Sequence, residues 1–168
     1  NVLKSGILGG RRTFANTLKY IAITTSANFG NMVSMALATL FVPFLPLLPK
    51  QILLNNFVSD FPSIAISTDN VDPEASEGAQ RWSIASVRRF MVVFGLVSTA
   101  FDLLTFVVLL KAFQAGAALF QSTWFVVSLL TELAVVLVLR THLPCWRSEP
   151  SRLLLTATVV VSLLAVIL

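Results

Sequence analysis

Five apolar segments, over residues 20–42, 51–67, 90–113, 119–139 and 153–168, make up most of this chain, and most charged residues fall between them. A bilayer's hydrocarbon core is about 30 Å thick, so a helix needs about 20 apolar residues to cross it. The first, third and fourth segments are long enough, the last is slightly short, and the second carries more polar residues. Backbone groups in hydrocarbon find no water, so such segments must satisfy their hydrogen bonds internally as helices. The expectation is an all-α polytopic transmembrane helix bundle of about five helices, the last truncated. Composition agrees: 56% of residues are apolar and 12% charged, about half the charged share of soluble domains.

Lysine and arginine set the orientation. With the N-terminus in the cytoplasm, the inner side holds Lys4, Arg11, Arg12, Lys19, Arg81, Arg88, Arg89, Arg140, Arg147 and Arg152, and the outer loops hold only Lys50 and Lys111. That asymmetry is the positive-inside pattern. It also accounts for the net charge of +4 without a nucleic-acid partner, because the basic residues border apolar spans instead of forming a separate stripe. The partner implied is the lipid bilayer. Residues 1–19 read as a cytoplasmic stalk helix running into the first span, and 20–168 as the bundle. Pro43, Pro46 and Pro49 mark a stiff turn. The stretch from Asp69 to Glu74 is an acidic, turn-rich loop, and Ser83 is placed to cap the third span's helix. Trp124 stands where an outer aromatic belt residue would lie. The N-terminus lacks an initiator Met and the last apolar run is short, so the chain reads as a fragment.

Polar residues inside the spans carry the functional signal. A carboxylate at the centre of a membrane helix costs about 2.5–3.5 kcal/mol on insertion scales. Asn56, Ser59 and Asp60 stand at i, i+3 and i+4, on one face of a helix. Pro62 cannot donate a backbone bond to the Val58 carbonyl and its ring crowds it, which predicts a bent helix with a spare oxygen beside Asp60. Hard cations such as Mg²⁺ and Ca²⁺ take oxygen ligands, and Asp60, Asn56, Asn28 and a freed carbonyl supply them. Thr24, Asn28 and Asn31 share helical spacing in the first span, with Ser34 a turn further; they serve either a cation or interhelical hydrogen bonds. Gly95, Ser98, Thr99 and Asp102 form a small-residue stripe better suited to helix packing, with Asp102 a possible ion-path residue. Ser128, Thr131 and Glu132 put another acid on one face of the fourth span.

Cys145 and His142 are the only residues of their types, which excludes an intramolecular disulfide and a Cys-rich metal motif. There is no phosphate-binding Gly-rich loop, no His-Glu-x-x-His and no nucleophile elbow. A catalytic centre, if there is one, would lie upstream of Asn1. Two readings outside a pump are a free-standing channel or secondary transporter relaying ions through Asp60, Asp102 and Glu132, and a non-transporting membrane scaffold. Five spans without an inverted repeat argue against the transporter, and three intramembrane acids against the scaffold.

The stretch Gly10-Arg11-Arg12-Thr13-Phe14-Ala15-Asn16-Thr17-Leu18-Lys19-Tyr20 resembles the stalk entering the fifth membrane helix of P-type cation-transporting ATPases. Asn28-Phe29-Gly30-Asn31 resembles the core of that helix, and Asn56-x-x-Ser59-Asp60 the ion-binding stretch of the sixth. Arg89-Phe90-Met91, Phe101-Asp102, Phe120-Gln121-Ser122-x-Trp124-Phe125 and Leu139-Arg140-Thr141 are similar to the bacterial Mg²⁺-importing branch. The resemblance implies the fifth to ninth helices of a ten-helix pump in a bacterial plasma membrane. Its missing cytoplasmic domains would use ATP and Mg²⁺, and its first four helices would complete the bundle. It further implies cation binding by Asp60, Asn56 and Ser59, with Asn28, Asn31 and Glu132 contributing, and a coupling stalk of Arg11, Arg12, Lys19 and Tyr20. Glu132 is also similar to an eighth-helix glutamate of Ca²⁺-type pumps, so Mg²⁺ is the leading cargo, with Ca²⁺ or H⁺ as alternatives.

Overall fold

The computed structural model describes residues 2–72, 82–141, 144 and 147–167. Part of the acidic loop expected up to Glu74, together with Arg81, His142 and Cys145, lies outside the described residues. Those residues form five α-helices: α1 (Val2–Ala38), α2 (Pro49–Ala65), α3 (Ile84–Val107), α4 (Ala117–Leu139) and α5 (Arg152–Ile167). A 3₁₀ turn, Ile66–Thr68, closes α2, and a π turn, Val108–Ala112, closes α3.

The local chemistry explains the helix ends. α2 starts at Pro49, whose fixed φ suits the first turn. The Gln51 side chain reaches back to accept from the Leu48 backbone N–H at 2.9 Å. α3 is capped as expected, with Ser83 Oγ accepting from the Ser86 N–H at 3.3 Å. α2 runs through Pro62 without a break. α1 is a single helix of 37 residues, about 55 Å long at 1.5 Å per residue, so the segments expected as stalk and first span are one continuous element.

Among the described residues, two helices are long and apolar enough to cross a membrane by length and composition: 84–112 and 117–139. Arg152–Ile167 is a shorter apolar helix. The segments expected to span at 20–42 and 51–67 are helical but stay outside that group. Thr24, Asn28, Asn31 and Ser34 in the first, and Asn55, Asn56, Ser59 and Asp60 in the second, dilute their apolar content.

Consecutive helices run in opposite directions. At one end Lys19 of α1, Asp69 after α2, Arg140 closing α4 and Ser151 before α5 meet in a single polar knot. Asp69 Oδ2 lies 3.2 Å from Arg140 Nη1 and 3.4 Å from Lys19 Nζ, and Asp69 Oδ1 accepts from the Ser151 backbone N–H at 3.1 Å. Arg140 also donates through Nη2 to the Ser148 carbonyl, and Asn16 Nδ2 donates to the Asp69 carbonyl at 2.9 Å. Beside this knot, Thr141 Oγ1 donates to the Asp72 carboxylate at 2.9 Å. At the opposite end, Gln121 Nε2 of α4 donates to the Leu45 carbonyl between α1 and α2 at 2.6 Å. α1 and α3 therefore lie parallel, as do α2 and α4.

Two apolar clusters divide the interior. One gathers Ala38, Val42, Leu47, Phe106, Phe120, Trp124 and Leu129 toward the Gln121 end. The other gathers Ile23, Ala65, Ile66, Val136 and Leu154 toward the Asp69 end. Trp124 is 1% exposed, which corrects its expected place in an outer aromatic belt: its N–H finds a buried carboxylate, so the ring turns inward. Between the clusters, α1, α2 and α4 present polar side chains to one another.

Candidate cation site between α1, α2 and α4

Glu132 is the centre of the polar layer. Its Oε2 accepts from Asn55 Nδ2 at 3.4 Å, and the side chains of Ser59 and Asn31 lie close enough to act on the carboxylate. Asp60 is close enough for its charge to act on that of Glu132. One turn before Glu132, Ser128 Oγ donates to Asn31 Oδ1 at 3.3 Å. α1 supplies Asn31, α2 supplies Asn55 and Ser59, and α4 supplies Ser128 and Glu132. No two of these helices alone assemble the group.

Helical spacing explains how each element delivers its share. Trp124, Ser128 and Glu132 recur every four residues and form one stripe of α4. The buried stripe of α2 is Asn55, Ser59, Pro62 and Ser63. Ser63 Oγ returns a hydrogen bond to the Ser59 carbonyl at 2.9 Å, which satisfies its hydroxyl locally. Asn55 Oδ1 is buried and has no hydrogen-bond partner among the described residues. An unpaired buried amide oxygen is costly, and here it belongs to the residue that donates to Glu132. The described residues hold no group of three His, Cys, Asp or Glu side chains. A cation in this layer would be met by one or two carboxylates plus amide and hydroxyl oxygens, the donor type that hard cations take.

A cavity of about 400 Å³ opens beside the layer, lined among others by Asn28, Asn31, Asn55, Asn56, Trp124 and Ser128. A second space, of about 20 Å³, lies behind Asn31 and Ser128 and touches Ser26, Ser98 and Glu132.

The residues singled out from sequence fall into three groups. Asn31, Ser59 and Glu132 come together as described, and Asn28 and Asn56 stand on the cavity wall. Asp60 and Asn56 are exposed, whereas Ser59 is buried, so the three polar residues of α2 divide between two neighbouring stripes. Thr24 Oγ1 is buried without a hydrogen-bond partner among the described residues and lies outside this group. Asp102 lies elsewhere, on α3, where its carboxylate accepts from Ser34 Oγ at 2.6 Å and Trp124 Nε1 at 3.0 Å. Of the stalk residues, Lys19 joins the Asp69 knot and Tyr20 packs against the apolar cluster at that end. Arg11 is half-buried and Arg12 exposed.

Sequence reasoning passed over Asn55 in favour of Asn56. The signal for it was present: Asn55, Ser59 and Ser63 repeat at four-residue intervals. Choosing between the stripes required knowing where α4 lies. The Asp69–Arg140 pair was also missed, although a lone arginine closing an apolar helix pointed to a partner.

Taken together, the fold and this layer define a helical bundle with a buried, oxygen-lined centre and a single deep glutamate. Residues 44–168 match the model of the family described as cation transporting ATPase, C-terminus. The chain belongs to that family. It is 45% identical over 172 residues to the magnesium-transporting ATPase, P-type 1, of Escherichia coli strain K12, covering 99% of this chain and 19% of that protein. It is 39% identical over 145 residues to a magnesium-transporting ATPase, P-type 1, of Salmonella typhimurium strain LT2, covering 84% of this chain and 16% of that protein. The calcium-transporting ATPase of Bacillus subtilis strain 168 is 27% identical over 154 residues, covering 88% of this chain and 17% of that protein. The chain thus spans about a fifth of the length of the magnesium-transporting relatives.

Proposed function

We propose that this chain lines the ion path of an ATP-driven P-type pump whose cargo is Mg²⁺. The observation that carries the reading is the Glu132 cluster, in which Asn55, Ser59 and Asn31 gather on one half-buried carboxylate and Asn55 Oδ1 has no partner among the described residues. A dehydrated divalent cation would supply the positive charge that Glu132 lacks and a contact for that oxygen. Asp60, Asn56 and Asn28, on or next to the cavity, would receive the ion on its way to Glu132. Magnesium is preferred over calcium as cargo because the relatives named for magnesium are much more similar to this chain.

In this reading the other parts of the pump are partners within one polypeptide: further membrane helices that close the cavity, and cytoplasmic domains that use ATP and Mg²⁺. The setting is a bacterial plasma membrane crossed several times. The N-terminal part of α1 would carry motion from those domains into the bundle, with Arg11, Arg12, Lys19 and Tyr20 along its coupling surface. A 37-residue helix without a break suits that task, because a rigid rod transmits displacement that a hinge would absorb.

The test is Mg²⁺ uptake by the full-length pump in proteoliposomes, with Glu132→Gln and Asp60→Asn compared to wild type. Both variants keep side-chain size and remove one charge. Loss of uptake in Glu132→Gln, with a smaller loss in Asp60→Asn, is the expected result. Wild-type uptake in Glu132→Gln would overturn the site.

A further inference from the structure

We propose that Asp102 is a positioning residue that makes the cavity selective for a small divalent cation, by fixing the Trp124 ring and the Ser34 turn of α1. This rests on the reading of the Glu132 layer as a cation site. Asp102 is 5% exposed and does not line the cavity. Its two oxygens are divided between two helices: one accepts from Trp124 Nε1 on α4 at 3.0 Å, the other from Ser34 Oγ on α1 at 2.6 Å. Both contacts join a hydrogen-bond donor to a carboxylate, the stronger kind of hydrogen bond.

Each donor stands one turn from a residue of the layer. Trp124 precedes Ser128 by four residues on α4, and Ser34 follows Asn31 by three on α1. Ser128 and Asn31 are themselves joined at 3.3 Å. Asp102 therefore closes a second tie between α1 and α4, about 6 Å along the helix axis from the first. Trp124 is also held by its neighbours: its ring meets Phe106 edge-on at 4.7 Å between centroids and Phe120 at 6.2 Å. A ring held by two aromatic neighbours and at its N–H is a fixed wall for the cavity it lines.

Rigidity matters for the choice of ion. Mg²⁺ demands near-octahedral geometry at about 2.0–2.1 Å, whereas Ca²⁺ accepts 6–8 oxygens over about 2.3–2.6 Å and tolerates irregular cages. A cavity whose α1–α4 spacing is locked favours the smaller ion. Releasing that lock costs Mg²⁺ affinity and leaves Ca²⁺ affinity nearly unchanged.

The experiment is equilibrium titration of the purified full-length pump with Mg²⁺ and, separately, Ca²⁺, without nucleotide. The binding lost in Glu132→Gln defines the signal of this site. Asp102→Ala is expected to weaken Mg²⁺ binding about tenfold, the size of one lost charge-assisted hydrogen bond, and to change Ca²⁺ binding little. Trp124→Phe keeps an aromatic side chain but removes the pyrrole ring with its N–H, so it repeats the shift even if Asp102→Ala does not fold. Asp102→Asn can accept from Trp124 and donate to Ser34, and is expected to restore the wild-type Mg²⁺ to Ca²⁺ ratio. A purely structural role would lower both affinities together and leave the ratio fixed, which would overturn the proposal. An Asn variant as altered as the Ala variant would overturn it as well, by showing that the charge is what matters. No binding lost in Glu132→Gln would remove the cation site itself, a failure distinct from an unchanged ratio at an intact site.

Discussion

Gly30 of α1 and Gly95 of α3 bring their backbones into contact: a Cβ on Gly30 would lie 3.0 Å from the Gly95 carbonyl oxygen, and one on Gly95 3.2 Å from the Gly30 nitrogen. Membrane helices use small residues in this way to approach closely. Thr99 Oγ1 uses the approach, donating to the Gly30 carbonyl at 3.2 Å. Because Asn31 follows Gly30 directly, the spacing between α1 and α3 also sets how far Asn31 reaches toward α4.

Gly95→Ala would place its methyl 2.6 Å from Phe29 Cδ1 and 3.1 Å from the Ser26 carbonyl. Alanine's better helix propensity offsets about 1 kcal/mol, while overpacking costs about 1–3 kcal/mol. The net expectation is a modest loss for Gly95→Ala and a severe one for Gly95→Leu. Thermal unfolding of the detergent-solubilised full-length protein checks the order; equal midpoints for wild type and Gly95→Leu would contradict the close approach.

The Asp69–Arg140 pair is a buried tie, with side chains 0% and 1% exposed. Removing one partner of such a pair leaves an uncompensated charge and costs about 3–5 kcal/mol. Arg140→Met and Asp69→Leu are each expected to destabilise the bundle by that order, and the double variant by less than the sum. A double-mutant cycle on unfolding midpoints reads the coupling, and simple additivity would show that the two do not act as a pair. Lys19→Met is expected to cost far less, because Asp69 keeps Arg140 as its partner at 3.2 Å.

Gln114 is the only non-glycine residue with positive φ among the described residues, at 49°. It follows the π turn, and the next N–H, of Ala115, closes on the Leu109 carbonyl at 2.9 Å. Left-handed backbone disfavours a Cβ, and helix ends usually give the position to glycine. Gln114→Gly is expected to stabilise by about 0.5–1 kcal/mol after the unfolded chain's added freedom is counted. Gln114→Val is expected to destabilise, and the opposite order of unfolding midpoints would contradict the reading.

How much was legible in sequence depended on the range of the interaction. Apolar runs, the prolines at 43, 46 and 49, and the Ser83 cap act locally, and the helices lie where those signals place them. The stripe Gly95, Ser98, Thr99 and Asp102 read as a packing face because small residues at helical spacing mean close approach whatever the partner. What sequence left open was the partner. Trp124 was read against the membrane surface because nothing in its own helix reveals Asp102 on α3. Asp69 and Asp72 looked like ordinary turn residues because their partners, Arg140 and Thr141, lie about 70 residues away.

The same limit separates Asn55 from Asn56, and a direct comparison tests the site. Adjacent helix residues point about 100° apart at 3.6 residues per turn. Asn55 is 6% exposed and donates to Glu132, while Asn56 is exposed and lines the cavity. Asn55→Leu takes a donor from Glu132 and an oxygen from the layer, so it should weaken Mg²⁺ binding by about tenfold or more. Asn56→Leu should act mainly on ion entry, slowing uptake with a smaller change in equilibrium affinity. Titration and initial uptake rates on the two full-length variants separate these effects. The reverse pattern would move the binding centre from the buried stripe of α2 to its exposed one, with Asp60 in place of Glu132 as the principal carboxylate.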